Sequence, residues 1–417
     1  MPQTEKTIFV YENWCNENPT LIGRLNTSFI RGQETFSFEY TDEWLDSFNS
    51  SYSLDPDLSL YRGRQYAPVD KRLFGVFADS CPDRWGRLLM KRKEVIDARK
   101  ENRKPRNLME SDFLLGVYDE SRMGALRFSL EEGGEFLSND KDFTTPPWIH
   151  LRTLENASIA FENDEKGFEE KWLRELLAPG SSLGGARPKA TVQATDGSLW
   201  IAKFPSKNDE YNSGAWEKVV HDLARHCSLN VPESKLETFS KKGSTFLVKR
   251  FDREGKRRIH FASAMTLIGK TDGASAADGT SYLELADYIR ANGAEPKQDL
   301  IELWKRIVFN MAVSNTDDHL RNHGFLLMSS GWRLSPLFDV NPIPSGDRLS
   351  LNVSEYDNSI DLSLAIEVAE YFGLTKDESV RISADICETV KDSWVKIAEL
   401  YGLSRDTVEY MRPAFSI

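Results

Sequence analysis

The chain has 417 residues, 40% hydrophobic and 11% aromatic, with a net charge of −12. That apolar content excludes a disordered chain, and the length calls for two or three lobes rather than one core. The acidic balance argues against a nucleic-acid surface spread over the whole molecule, and no apolar run approaches the roughly 20 residues of a membrane span.

Taken in chain order, Thr7–Tyr11, Thr20–Arg24 and Thr35–Tyr40 are short apolar bursts. Phe36, Phe38 and Tyr40 have the period of two that a half-buried strand requires. Helical patterns follow near Leu73–Ala78 and at Asp83–Ala98. Residues 99–107 form a basic, proline-containing loop, and the Gly-, Asp- and Pro-rich stretch 132–147 reads as a connector. A helix over Lys171–Leu177 should stop at Pro179-Gly180. Ala190–Ala194 and Ser198–Phe204 read as strands joined at Asp196-Gly197, a turn pair that tolerates positive φ. Gly214–Cys227 is amphipathic, with Trp216, Val219, Val220, Leu223 and Ala224 on one face. Another strand is predicted at Ser244–Lys249. Beyond Phe251 the pattern turns helical at Tyr282–Asn292, Leu300–Ser314, Leu362–Phe372 and Asp377–Tyr401, with one extended piece at Trp332–Leu337. A strand-rich half followed by a helix-rich half, joined near Lys249–Arg253, predicts two lobes.

The four cysteines, Cys15, Cys81, Cys227 and Cys387, are scattered without a CxxC pair, which suggests neither a zinc knuckle nor a disulfide framework. With no signal-peptide pattern at the N-terminus, a cytoplasmic location is expected.

Four stretches carry chemistry. In Ser181-Ser-Leu-Gly-Gly-Ala-Arg-Pro-Lys189, Gly184 and Gly185 would let backbone N–H groups approach a phosphate, and Lys189 would neutralise charge. The stretch is neither a Walker A motif nor GxGxxG, and a flexible loop before a hairpin would look the same. Lys203 ends an apolar strand and Glu217 lies on the next helix, as in the lysine–glutamate pair of protein kinases. A lysine at a strand end can equally reach water. Asp317 and Asn322, within Asn315-Thr-Asp-Asp-His-Leu-Arg-Asn322, have the Asp-x4-Asn spacing of a kinase catalytic loop. There the aspartate accepts the hydroxyl proton and the asparagine holds a hard cation by oxygen. His319 and His323 are four apart, but Leu320 stands where HExxH needs glutamate, so a zinc-protease reading lacks its base. His319 reads instead as an orienting residue bonded to loop backbone. Asp339, in Leu337-Phe-Asp-Val-Asn341, follows a short hairpin as the second metal-binding aspartate of kinases does. No glycine follows it, and an aspartate capping a turn before Pro342 is the plain reading. One such motif is easily met by chance; the whole set in kinase order is much less so.

The sequence resembles the HipA-type serine/threonine kinases, the toxin half of bacterial HipBA toxin–antitoxin modules. The likeness runs through Leu21–Leu25, Phe36–Tyr40, Pro82-Asp-Arg-Trp-Gly-Arg87 and Gly124–Phe128. It continues through Gly184–Lys189, Lys249-Arg-Phe-Asp-Arg253, Ile259–Met265 and Asn315–Asn322. The resemblance implies an α+β, protein-kinase-like two-lobed fold with an additional strand-bearing subdomain. The parts would be an N-terminal subdomain at 1–145, a nucleotide-binding lobe at 146–251 and a mostly helical catalytic lobe at 252–417. It implies ATP and Mg2+ as cofactors, Asp317 as catalytic aspartate, Asn322 and Asp339 as magnesium ligands, and Lys203 on the ATP phosphates. Lys189 would lie in the phosphate loop, and Lys249–Phe251 would be the hinge, with Phe251 stacking on adenine. Ser182, or its neighbour Ser181, would be autophosphorylated. The implied protein substrate is a translation component such as an aminoacyl-tRNA synthetase. The implied partner is a HipB-like helix-turn-helix antitoxin, with DNA reached only through it and no membrane involved. The Lys270–Thr280 loop would be an activation segment or a linker, and Ser404–Val408 a capped helix. Two other readings stay open: a non-catalytic HipA-like regulatory module, and a metal-dependent phosphohydrolase using Asp317, Asp318 and His319.

Overall fold

The computed structural model describes residues 6–15, 18–30, 32–47, 52–137, 145–163, 176, 185 and 187–416. Packing divides the chain into two units. One comprises Met1–Lys207 with Asp252–Ala262, and the other Asn208–Phe251 with Ser263–Ile417. Of the helix expected over Lys171–Leu177, only Leu176 is described; Ser181, Ser182 and Gly184 also lie outside the described residues.

The first unit is built on a five-stranded antiparallel sheet. Its strands are β1 (Lys6–Glu12), β2 (Thr20–Ile30), β3 (Gln33–Tyr40), β4 (Gln65–Tyr66) and β5 (Leu126–Ser129), in the order β4-β3-β2-β1-β5. Phe36, Phe38 and Tyr40 are all buried, as their period of two predicts. Phe38 packs on Phe77, which packs in turn on Phe128, with ring centroids 5.3 and 6.2 Å apart. This aromatic core dictates Gly23: a Cβ there would lie 2.3 Å from the Phe38 ring. Helix α1 (Arg84–Lys100) starts where expected because Asp83 caps it, accepting from the Gly86 N–H. Helix α2 (Leu151–Glu162) follows, and then the hairpin of β6 (Lys189–Gln193) and β7 (Leu199–Lys203). Its turn is the predicted one: Gly197 has φ +84°, and Asp196 Oδ1 accepts from the Ser198 N–H.

The stretch 252–262 returns to this unit through ionic contacts. Asp252 Oδ2 accepts from the Gly124 N–H and from Arg253, while Asp119 Oδ2 accepts from Arg127 and Arg258. His260 is sealed inside, stacked on Trp14 with ring centroids 4.7 Å apart.

In the second unit, helix α3 (Ser213–His226) lies on the hairpin of β8 (Ser234–Ser240) and β9 (Gly243–Lys249). Its predicted apolar face is buried, as are Glu217, Lys218 and His221, and Gly214 sits so close to Ser244 that a Cβ would come 2.1 Å from that carbonyl. Helix α4 (Tyr282–Asn292) is closed at its start by a Ser281/Glu284 capping box. Helix α5 (Pro296–Ala312), the hairpin β10 (Gly324–Met328) with β11 (Gly331–Leu334), and helix α6 (Lys376–Leu400) complete the frame. The predicted helix at Leu362–Phe372 is split into α-helix Leu362–Glu367 and a 3-10 turn Ala369–Phe372, ended by Gly373 at φ +78°. The Lys270–Thr280 loop is pinned rather than free: the Ala276 N–H donates to the Ser350 carbonyl. Ser404 caps a plain helix, Arg405–Met411, as expected. No helix among the described residues is long and apolar enough to cross a membrane.

Burial pushes the His260 imidazole from its ordinary 6.5 down to about 3. The unfolded chain takes up a proton below pH 6.5 and the native fold does not, so stability falls as the pH drops through that window. The cost is about 1.4 kcal/mol per pH unit. Thermal melts of the parent between pH 7 and pH 5 should show this slope. A His260→Gln variant, whatever its absolute stability, should show it reduced by that amount.

Candidate phosphotransfer loop

The polar stretch after α5 exists because the helix cannot continue. Ser314 takes φ +48°, a left-handed conformation that L-residues rarely adopt, and the chain turns back on itself. The Asn315 N–H then donates to the Asn310 carbonyl, and Asn315 Nδ2 donates to Asn310 Oδ1 at 3.0 Å.

Adjacent Asp317 and Asp318 meet opposite fates. Asp318 is 1% exposed. Its Oδ2 accepts from Tyr282 Oη at 2.7 Å and Asn310 Nδ2 at 2.7 Å, and bonds His323 Nε2 at 2.8 Å. Those partners come from the first turn of α4, the last turns of α5 and the residue before β10. Burial alone would raise the Asp318 carboxyl; His323 beside it and the hydrogen bonds from His323 and Tyr282 overcome that and hold it below its ordinary range. Burial, and then the Asp318 charge, push the Tyr282 phenol well above its ordinary range. Asp317, one residue earlier, is exposed. A buried knot thus fixes the backbone from which an exposed carboxylate projects.

Asn322 is 2% exposed and donates through Nδ2 to the Asp317 carbonyl at 2.9 Å. A carbonyl can only accept, so Nδ2 must face it and Oδ1 must point elsewhere. That Oδ1 is buried with no hydrogen-bond partner. An orphaned buried oxygen is costly unless something meets it, and a hard cation is bound by oxygen ligands of this kind. Asp339 is the other candidate ligand. It has φ +59°, in the left-handed region where a non-glycine residue is unusual. The stretch that carries it is tied to the loop: the Asn341 N–H donates to Asn315 Oδ1, and the Ile343 N–H to the Ser314 carbonyl. An amide oxygen left without a donor and a carboxylate are both donor types that suit a hard cation such as magnesium.

Among the other expected residues, Phe251 packs against Phe338, with ring centroids 5.6 Å apart, next to Asp339. Lys249 bonds Glu233 through its backbone N–H, with its ammonium 3.6 Å from the Glu233 carboxylate. Glu217 is buried on α3 in the second unit, and Lys203 is buried at the end of β7 in the first. Gly185 has φ +81°. Lys189 is held by Asp83 at 2.7 Å.

The orienting role expected of His319 belongs to His323. Nδ1 is without a partner in both rings, but His323 is fully buried and its Nε2 bonds Asp318 Oδ2. Asp318 Oδ2 already meets three donors, so it is engaged in holding the fold. Among the described residues, no three His, Cys, Asp or Glu side chains cluster as metal ligands. Arg321 pairs with Asp272 at 3.4 Å. Tyr282, Asn310 and Asp83 were missed from sequence. The one available signal was Asn310, a polar break in the apolar run 303–313.

This is an α+β chain whose second unit presents the Asp317-x4-Asn322 loop. Residues 181–394 match the family described as the HipA-like C-terminal domain, and residues 14–129 match the HipA N-terminal domain. The first match alone covers just over half of the sequence, and the chain belongs to the HipA-like family. It is 30% identical over 183 residues to "Putative kinase Y4mE" of Sinorhizobium fredii, a match spanning 38% of this chain and 41% of that protein. It is 25% identical over 251 residues to a "Putative kinase" of Haemophilus influenzae, spanning 55% and 69%. Among solved structures it is similar to a chain of the Shewanella oneidensis MR-1 complex of HipA, HipB and operator DNA. The TM-score is 0.68 at 18% identity, covering 97% of this chain and 96% of that one. At that identity the likeness establishes the fold, and the kinase-like α+β class expected from the sequence is the one found.

Removing Asp318 strands three buried donors, so Asp318→Ala should cost about 3–5 kcal/mol of stability in denaturant titrations. Asp317→Ala, at an exposed position, should stay within about 0.5 kcal/mol of the parent. Because the Asp318 carboxyl is depressed, its contribution is complete above the ordinary value of 3.8 and lost as the pH falls below it. The parent should lose more stability than Asp318→Ala on acidification through that range.

Proposed function

We propose that the chain is an ATP- and Mg2+-dependent serine/threonine protein kinase of HipA type. The observation that carries this is the division of labour in the loop. Asp318 is buried with its Oδ2 engaged by three side chains, Asp317 is exposed beside it, and the Asn322 Oδ1 is left buried and unsatisfied.

The Asp317 carboxylate accepts the proton of a serine or threonine hydroxyl as that oxygen bonds the γ-phosphorus of ATP. The bond from that phosphorus to the β,γ-bridging oxygen breaks, and ADP leaves. Bound magnesium, held by Asn322 and Asp339, would neutralise phosphate charge. Lys203 supplies a further cation for the phosphates. The Gly184-Gly185 loop that ends at Lys189 offers backbone N–H groups to them. Phe251, already packed on Phe338, offers an aromatic face to adenine, and the backbone at Lys249 offers hydrogen bonds. The three-part organisation proposed is 1–145, 146–251 and 252–417.

Family membership supports a role as the toxin of a toxin–antitoxin module. The partner is then a HipB-like protein, as HipB accompanies HipA in the Shewanella complex, here of the helix-turn-helix kind, and the target a translation protein such as an aminoacyl-tRNA synthetase. Self-inactivation would run through Ser182 or Ser181. A phosphoserine adds roughly −1.5 to −2 of charge and would compete with ATP for the same donors.

Intact-mass spectrometry after incubation with ATP and Mg2+ tests the reading. The parent should gain phosphate, mapped to Ser182 or Ser181, and Asp317→Ala should slow the transfer on the order of 10²–10⁴-fold. A parent that binds ATP yet modifies neither itself nor a serine-containing protein substrate is a binding module instead.

A further inference from the structure

The first unit holds a buried ion pair that the phosphotransfer chemistry does not use. Asp83 and Lys189 meet at 2.7 Å with side chains 2% and 3% exposed, although 106 residues separate them. Each member has a second task. Asp83 Oδ1 caps α1 by accepting from the Gly86 N–H at 2.8 Å. Lys189 Nζ also donates to the Gly185 carbonyl at 3.2 Å. Two residues past the cap, Trp85 Nε1 donates to the Lys189 carbonyl at 3.1 Å. Side chain and backbone of Lys189 are therefore both gripped by the start of α1.

Register makes the grip necessary. Lys189 lies directly opposite Lys203 across the β6–β7 hairpin, and both are buried. Like charges in facing positions repel, and a buried ammonium without a counter-charge is expensive. Asp83 supplies that counter-charge to Lys189. Were Lys189 to leave Asp83 for a phosphate, it would strand a buried carboxylate and release Gly185.

We propose that Asp83 is a positioning residue for the Gly-rich loop: through Lys189 it fixes the Gly185 backbone and so sets nucleotide affinity, and Lys189 is a brace rather than a phosphate ligand. This rests on reading 184–189 as the ATP phosphate loop. Control of nucleotide binding would then extend into the N-terminal region, through a residue that need not touch the nucleotide.

A double-mutant cycle on the full chain tests this. Asp83→Asn keeps the helix cap, since asparagine caps as well as aspartate, while removing the charge. Lys189→Met keeps length and apolar bulk. Lys189→Arg keeps the charge and can still bridge. ATP affinity with Mg2+, the split between KM for ATP and kcat, and the melting temperature are measured for the parent, the three single variants and the Asp83→Asn/Lys189→Met double. Each of Asp83→Asn and Lys189→Met should weaken ATP on the order of tenfold through KM, with kcat little changed. The double should be no worse than either single variant, because both remove one brace. Lys189→Arg should restore most of the affinity. The proposal is overturned if Asp83→Asn binds ATP as the parent does, or more tightly, while Lys189→Met loses it; Lys189 would then be a phosphate ligand in its own right. It is equally overturned if the two losses add, or if only the melting temperature moves. A parent that binds no ATP at all defeats the kinase reading itself, and that result is read before any variant is compared.

Discussion

One carboxylate oxygen organises the candidate site. Asp318 Oδ2 gathers Tyr282, Asn310 and His323, side chains from three separate elements, around a charge that is 1% exposed. A buried carboxylate of this kind is tolerable only while its donors are in place, so the network specifies position as strictly as it contributes energy. It draws the start of α4, the end of α5 and the entry to β10 to one point. The loop between α5 and β10 then has no freedom to collapse. Asp317 must face outward, and Asn322 must turn its Nδ2 to the Asp317 carbonyl. The unsatisfied oxygen of Asn322 and the left-handed backbone of Asp339 are costs borne within this rigid frame. Such costs persist where the surroundings over-determine a geometry, and they concentrate at functional sites.

Much of this was legible in the sequence, for identifiable reasons. The Phe36-x-Phe38-x-Tyr40 alternation fixes which face of β3 is buried, and Asp196-Gly197 fixes a turn, because each signal is local. The Asp-x4-Asn spacing is local too. Strand β8 was not anticipated: along it no residue is fully buried, so no clean apolar alternation marks it. The helix predicted at Leu362–Phe372 is interrupted after Glu367, a change of hydrogen-bonding pattern that residue periodicity does not register. The knot was invisible for a different reason. Tyr282 and Asn310 look like ordinary members of amphipathic helices until tertiary packing points both at Asp318. His319 and His323 could not be told apart by spacing either; only burial shows that His323 carries the orienting role.

The first unit shows the same logic with another charge pair. Asp83 sits in a helix-start signature readable from sequence, yet nothing local announces that its second oxygen holds Lys189. In both units a buried carboxylate outside the motif's chemical positions does the holding. Motif spacing identifies the chemistry, and long-range burial identifies what keeps it in place.

The most direct test of the central claim, that Asn322 and Asp339 complete a cation-assisted nucleotide site, is calorimetric titration of the parent and Asn322→Ala with ATP, in Mg2+ and in EDTA. ATP binding that tightens with Mg2+ in the parent, and loses that dependence in Asn322→Ala, is the predicted result. Equal affinity with and without Mg2+, or an unaltered Mg2+ dependence in Asn322→Ala, would contradict it.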